Sequence, residues 1–201
     1  MLPFDTFIAL ALFAFVSSIT PGPNNLMLLA SGVNFGIRRT VPHMLGVALG
    51  FMLMIVLIGL GFGQLFALFP WLHTALKLIG ALYMLYLAWK LAHAGGIGDA
   101  AADAMPMTFL QAAAFQWVNP KAWAMAVTAI AAYTLADNFT ASVLMVALVF
   151  GIINLPCVSS WTLFGVWLRR FLSNPRTVRI FNLTMAALLV ASLWPMAADL
   201  F

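Results

Sequence analysis

The chain has 201 residues, of which 65% are hydrophobic and 7% charged, and its mean hydropathy is +1.06. A soluble domain is about one-quarter charged, so this composition excludes a water-soluble globular protein and describes a small polytopic membrane protein. The formal charge is +4, from nine Lys and Arg against five Asp and no Glu; no basic run is interleaved with aromatics to suggest nucleic acid, and the single cysteine, Cys157, excludes an internal disulfide.

The N-terminus has no Lys or Arg before its apolar run, so that run is expected to be a retained first membrane segment rather than a cleaved signal. Spans of about 20 apolar residues fall at roughly 6–31, 42–64, 71–92, 107–134, 140–166 and 178–198. Polar residues punctuate them at 34–39, at 69–70, from Gly95 through Asp99 to Pro106, at Asp137 and Asn138, and from Arg169 to Arg179. The segments lack the alternation of barrel strands. The expected fold is therefore all-α, with six transmembrane helices in one transporter domain over 1–201.

Arg38, Arg39, Lys90, Arg169, Arg170, Arg176 and Arg179 all fall on one side of that layout, and the other side has no Lys or Arg. The positive-inside rule then places both termini outside. The two remaining cations, Lys77 and Lys121, lie inside segments. Lys77 is close enough to an end to snorkel. Lys121 is near the middle of segment four, where a cation costs about 2.5–3.5 kcal/mol, so it is expected to face protein or water.

Segment one contains Thr20-Pro21-Gly22-Pro23-Asn24-Asn25. Each proline removes a backbone donor and clashes with the preceding turn, so two half-helices with an unwound stretch between them are expected. Their freed backbone groups need partners inside the membrane, and Asn24 and Asn25 can supply donors and acceptors. Segment four repeats the pattern at Gln116-Trp117-Val118-Asn119-Pro120-Lys121. Each break sits in the first helix of a three-span half, about 1–95 and 106–201, and three spans per half make the halves inverted. Interrupted segments at matching places in inverted halves point to a central site of a secondary transporter. Segment five adds Asn154 and Pro156, either a further polar lining with a break or a plain kink. Gly46-xxx-Gly50 permits close helix approach, either within the chain or across a homodimer, with the intrachain use favoured. Trp117 and Trp123 flank the second break and either wall a pocket or pack against lipid, with the pocket favoured.

No metal-ligand cluster, Walker motif or dinucleotide fingerprint occurs, so neither a metal nor another cofactor is expected. The serines have no His or acid partner for a triad, and His43, His73 and His93 suit interfacial polar positions. With no acidic residue in mid-membrane to pair with Lys121, the carboxylate of a transported solute is the expected counter-ion. An integral-membrane enzyme would want buried acidic pairs, which are missing. A non-catalytic subunit or scaffold would leave the two matched breaks unexplained.

Thr20-Pro-Gly-Pro-Asn-Asn25, Gly36-Ile-Arg-Arg39 followed by Gly46-xxx-Gly50, Lys77-xx-Gly80-xx-Tyr83 and Asn119-Pro-Lys-Ala122 together resemble the lysine exporter (LysE/RhtB) family of bacterial amino-acid efflux permeases. Residues 80–90 and 115–119 look most like its branch exporting cysteine and O-acetylserine. The resemblance implies an inner-membrane carrier, not an enzyme, that exports amino acids or related small metabolites on the proton gradient; the residues themselves leave proton antiport and facilitated diffusion both open. It implies motif positions at Pro21, Gly22, Pro23, Asn24, Asn119, Pro120 and Lys121. Asn24, Asn25, Gln116, Asn119, Lys121 and Asn154 are the expected substrate contacts, Pro21, Gly22, Pro23, Pro120 and Pro156 the expected breaks or gates, and Lys121 or Lys77 the expected proton carriers. Residues 111–114 read Gln-Ala-Ala-Ala, where many members have a glycine.

Overall fold

The computed structural model describes residues 3–64, 68–69, 71–94, 105–172 and 174–194. The loop with Asp99 and Asp103, the side chain of His73 and the end of segment six lie outside them. Among the described residues all regular structure is helical: α1 Phe4–Ile19, α2 Pro23–Leu57 with a π-helical extension Ile58–Phe62, α3 Trp71–Ala92, α4 Phe109–Phe115 with a 3-10 turn Gln116–Val118, α5 Pro120–Tyr133, α6 Phe139–Leu168 and α7 Pro175–Ala191. Among the described residues three stretches are long and apolar enough to cross a membrane: Pro23–Phe62, Thr74–Ala92 and Ala136–Phe171.

The molecule is apolar on its outside and keeps its amide side chains within. Leu82, Ile152 and Ile180 are all more than 60% exposed, whereas Asn25, Gln116, Asn119, Asn154 and Asn182 are at most 5% exposed. Water would reverse that distribution; a hydrocarbon surround produces it.

Helix α2 differs from the sequence expectation. The stretch 34–39, expected as a polar connection, is helical on both sides of Gly36, which alone leaves the helical region (φ 75°, ψ 176°). There the chain reverses. Ser31 and Thr40 hydroxyls lie 2.9 Å apart, although nine residues of straight helix would separate them by about 13 Å. The limb 23–35 and the limb 37–57 therefore form a helical hairpin closed by Thr40, whose hydroxyl also donates to the Gly36 carbonyl at 2.8 Å.

Helix α6 packs against both limbs. Small residues allow it: a Cβ on Gly32 would strike the Thr162 carbonyl, and one on Gly165 the Leu29 carbonyl. Gly46 and Gly50 abut Phe109, Ala112 and Ala113 of α4, so the small-residue pair joins helices of one chain, and alanines at 112 and 113 suit that contact. The arrangement is reciprocal: α1 packs on α6, and α4 packs on the 37–57 limb. Helix α3 packs on α7 in the same way. A core of Leu10, Ala14, Phe51, Met54, Ala126, Val146 and Phe150 binds α1, α2, α5 and α6, with Phe51 and Phe150 edge to face at 5.3 Å.

The cation-bearing connections share one end of the bundle. A Cβ at Gly36 would lie 3.9 Å from Arg169 Nη1. Asn34 and Asn182 pair through their amides at 2.9 and 3.3 Å, and Asn182 also reaches the Ala94 carbonyl.

One expectation fails here. Pro156 does not break α6, which runs unbroken from Phe139 to Leu168. The limbs of α2 hold this helix along its length, so packing outweighs the loss of one backbone donor.

A polar cavity where two helix breaks meet

Both breaks use the same local construction. Helix α1 ends at Ile19, Thr20 and Gly22 are extended, and Pro23 opens α2 at its first position. The 3-10 turn ends at Val118, Asn119 is extended, and Pro120 opens α5. Proline suits a first helical position because its missing N–H has no intrahelical partner there and its φ is already helical. Asn119 is the N-cap, its side-chain oxygen accepting from the Lys121 N–H at 3.1 Å.

A helix end leaves its last carbonyls without partners, and at the end of α1 side chains from three helices supply them. Asn25 Nδ2 donates to Ser18 O at 2.9 Å and Thr20 O at 2.7 Å. Trp161 Nε1 of α6 donates to Ile19 O at 2.9 Å. Lys121 Nζ of α5 donates to Thr20 O at 2.7 Å, Thr20 Oγ1 at 2.9 Å and Pro21 O at 3.2 Å. The ammonium thereby sits at the negative end of the α1 dipole.

The second break is tied to the first by an amide pair. Asn24 Nδ2 donates to Gln116 Oε1 at 2.8 Å, and Gln116 Nε2 returns a bond to Asn24 Oδ1 at 3.2 Å while also donating to Ala112 O. Asn154 Nδ2 donates to Ser18 Oγ at 3.2 Å, and its own carbonyl oxygen is buried with no partner among the described residues.

Asn24, Asn25, Gln116, Asn119, Lys121 and Asn154 all line one cavity. Its volume is about 30 Å³, room for about one water molecule and too small for an amino acid. Gly22 forms part of the wall, and a Cβ there would lie 2.7 Å from Lys121 Cδ.

Several expectations need correcting. Lys121 is half-buried and faces protein as expected, but Thr20 and Pro21 already take its three donors, which the expectation of a solute carboxylate as its partner did not include. Lys77 sits in α3 and does not line the cavity. Trp117 and Trp123 pack edge to face at 5.9 Å, with Trp123 Nε1 donating to Trp117 O at 2.7 Å, and neither lines the cavity. His43 is not interfacial but 1% exposed. Ser17, Ser18 and Thr20 were missed; the signal for Thr20 was the set of freed carbonyls, which needs donors and so draws neighbouring polar groups into the site.

Similarity to known proteins agrees with this construction. The LysE type translocator family matches residues 15–192. The cysteine/O-acetylserine efflux protein of Escherichia coli (strain K12) is 31% identical over 180 residues, covering 89% of this chain and 90% of the relative. The protein of that name from Salmonella typhimurium (strain LT2) is 30% identical over 184 residues, with the same coverage. No solved structure is a match. The chain is a bacterial membrane protein, a transporter rather than an enzyme, and it belongs to the LysE-type translocator family.

Proposed function

We propose that this protein is a secondary carrier that exports a small zwitterionic amino acid or derivative across the bacterial inner membrane in exchange for protons. Cysteine and O-acetylserine are the first solutes to test, since relatives covering 90% of their own length carry those names. The carrier has six spans in two inverted halves, about 1–95 and 106–201, with both termini periplasmic. The reciprocal packing of α1 on α6 and α4 on the 37–57 limb supports the inverted halves. The gathering of Gly36, Arg169, Asn182 and Ala94 at one end supports the orientation.

The observation that carries the proposal is the convergence of two proline-opened helix starts on one polar cavity crossed by Lys121. Asn24, Asn25, Gln116, Asn119, Lys121 and Asn154 bind the solute there, and the flanking Pro21, Gly22, Pro23 and Pro120 form the gates. Lys121 belongs to the second half and grips the end of α1 in the first. A solute carboxylate that displaces Thr20 Oγ1 from the ammonium loosens that grip, and the cavity widens as α1 and α5 separate. Loading is thus linked to movement of the halves, with Lys121 as the group available to carry a proton.

Counterflow tests the proposal. The full chain in sealed liposomes preloaded with unlabelled solute is expected to accumulate labelled O-acetylserine or cysteine transiently. Flat traces for every amino acid in a broad panel would defeat the carrier reading. Persistence of uphill export after the proton gradient is collapsed would defeat the coupling alone.

A further inference from the structure

We propose that the chain holds a second solute site, a loading vestibule at the cation-bearing end of the bundle, in which His43 recognises the carboxylate of the solute. This deepens the carrier reading and rests on it.

A cavity of about 340 Å³ lies between α2, α3 and residues 105–107. It falls within the size range of small-molecule pockets, about 300–1,000 Å³, whereas the cavity at the breaks holds about 30 Å³. Its polar wall comprises Ser31, Asn34, His43, Lys90 and His93, with Trp89 as an apolar flank, and His93 Nδ1 already pairs with the Trp89 carbonyl at 2.8 Å. Ser31 is already bonded to Thr40, and Asn34 to Asn182 and the Ala30 carbonyl. His43 is different: it is 1% exposed, and among the described residues neither ring nitrogen has a partner. An unsatisfied buried polar group costs about 1–3 kcal/mol, a cost relieved when an arriving solute supplies the missing bond. An imidazole and the Lys90 cation on the wall of one cavity suit a carboxylate, and the short polar wall suits a compact zwitterion.

The vestibule and the central site lie along one helix face. Asn24, Met27, Ser31 and Asn34 recur at spacings of three and four, which places them on one side of the 23–35 limb. Asn24 lines the inner cavity, and the other three line the vestibule. Asn24 and Ser31 are separated by about 10 Å of helix rise. Between them Met27 packs with Met84, Leu87 and Phe115, a flexible apolar septum between the two chambers.

Thiol protection tests the assignment. The full chain carrying Cys157→Ser and Ser31→Cys is reconstituted in sealed vesicles, and a hydrophilic maleimide is added on the arginine-rich side. O-acetylserine is the protecting solute because it has no thiol to consume the reagent. It is expected to slow labelling. Adding His43→Ala should raise the half-protecting concentration about tenfold, as for loss of one hydrogen bond to a charged group. His43→Gln, which keeps a donor and an acceptor, should restore most of the effect. Protection of a Ser17→Cys probe in the inner cavity should barely move. A Ser31→Cys thiol that never reacts, or reacts equally fast beside a solute the wild type transports, overturns the vestibule. So does an equal shift at both probes. If His43→Ala fails to reach the membrane, protection of Ser31→Cys decides alone. Absence of wild-type counterflow is a separate result: it overturns the carrier reading, and the vestibule with it.

Discussion

The Lys121 side chain crosses Gly22 to reach Thr20, so that Nζ lies 2.7 Å from a carbonyl 101 residues earlier in the chain. Gly22 has φ −178°, an extended conformation open to any residue, so backbone freedom does not explain the glycine. Space does. Gly22→Ala is expected to leave the break intact but to push the lysine off the α1 carbonyls, because the new methyl would sit 2.7 Å from Cδ. Transport should fall about tenfold, as for one lost charge-assisted bond, and the thermal midpoint in detergent should fall with it. A wild-type initial rate in Gly22→Ala would separate the grip from transport.

Lys121→Gln tests the grip itself. One amide cannot satisfy three oxygens, and the end of α1 is left under-bonded. The loss of charged hydrogen bonds is expected to cost about 1.5–3 kcal/mol of stability, read as a lower thermal midpoint. Counterflow should fall by more than in Gly22→Ala. An unchanged midpoint would mean that water satisfies the carbonyls as well as the lysine does.

The Asn24–Gln116 pair joins the two halves through side chains alone, so a double-mutant cycle isolates it. Asn24→Ala and Gln116→Ala should each destabilise, and the double variant by less than their sum, with a coupling energy on the order of 1 kcal/mol. Gln116→Ala should be the worse single change, since it also frees the Ala112 carbonyl. Additive effects in thermal unfolding would show that the pair contributes no stability.

Both breaks were legible because proline acts locally. Pro23 and Pro120 end one helix and open the next whatever surrounds them. Pro156 is the counterexample: the same residue sits in an unbroken α6, and only the packing of both α2 limbs along that helix explains it. The polar set around the cavity was legible for a related reason, since amides in an apolar chain must face protein. The partners of Lys121 were not, because they are backbone carbonyls freed by the first break and identified by no residue type. His43 was hidden by its place in the sequence. Near a segment end it looks interfacial, but the reversal at Gly36 folds the 23–35 limb back over it.

That reversal gives another test. Gly36 has φ 75° and ψ 176°, a region essentially reserved for glycine. Gly36→Ala is therefore expected to cost about 1–3 kcal/mol. Gly36→Asn should rescue nothing, because asparagine eases the left-handed helical region, where ψ is near +47°, and not this one. Equal midpoints for wild type and Gly36→Asn in a thermal melt would contradict the reversal geometry.

The last comparison sets three glycines against one another by what each would touch. A methyl on Gly32 meets the Thr162 carbonyl, and one on Gly165 meets the Leu29 carbonyl, both backbone atoms that cannot rotate aside. Either alanine must force α6 away from the 23–35 limb, and overpacking of this kind costs about 1–3 kcal/mol or more. The damage should extend to function, since α6 carries both Asn154 and Trp161, whose amide and indole reach α1 at Ser18 and Ile19. Gly63→Ala is the control. Its nearest neighbours would be Ile58 atoms at 3.8 and 3.9 Å and its φ is −60°, so both space and conformation permit a methyl. Its thermal midpoint in detergent should match the wild type, while those of Gly32→Ala and Gly165→Ala fall. Wild-type midpoints for both would mean that α6 and the 23–35 limb are less closely packed than this structure has them.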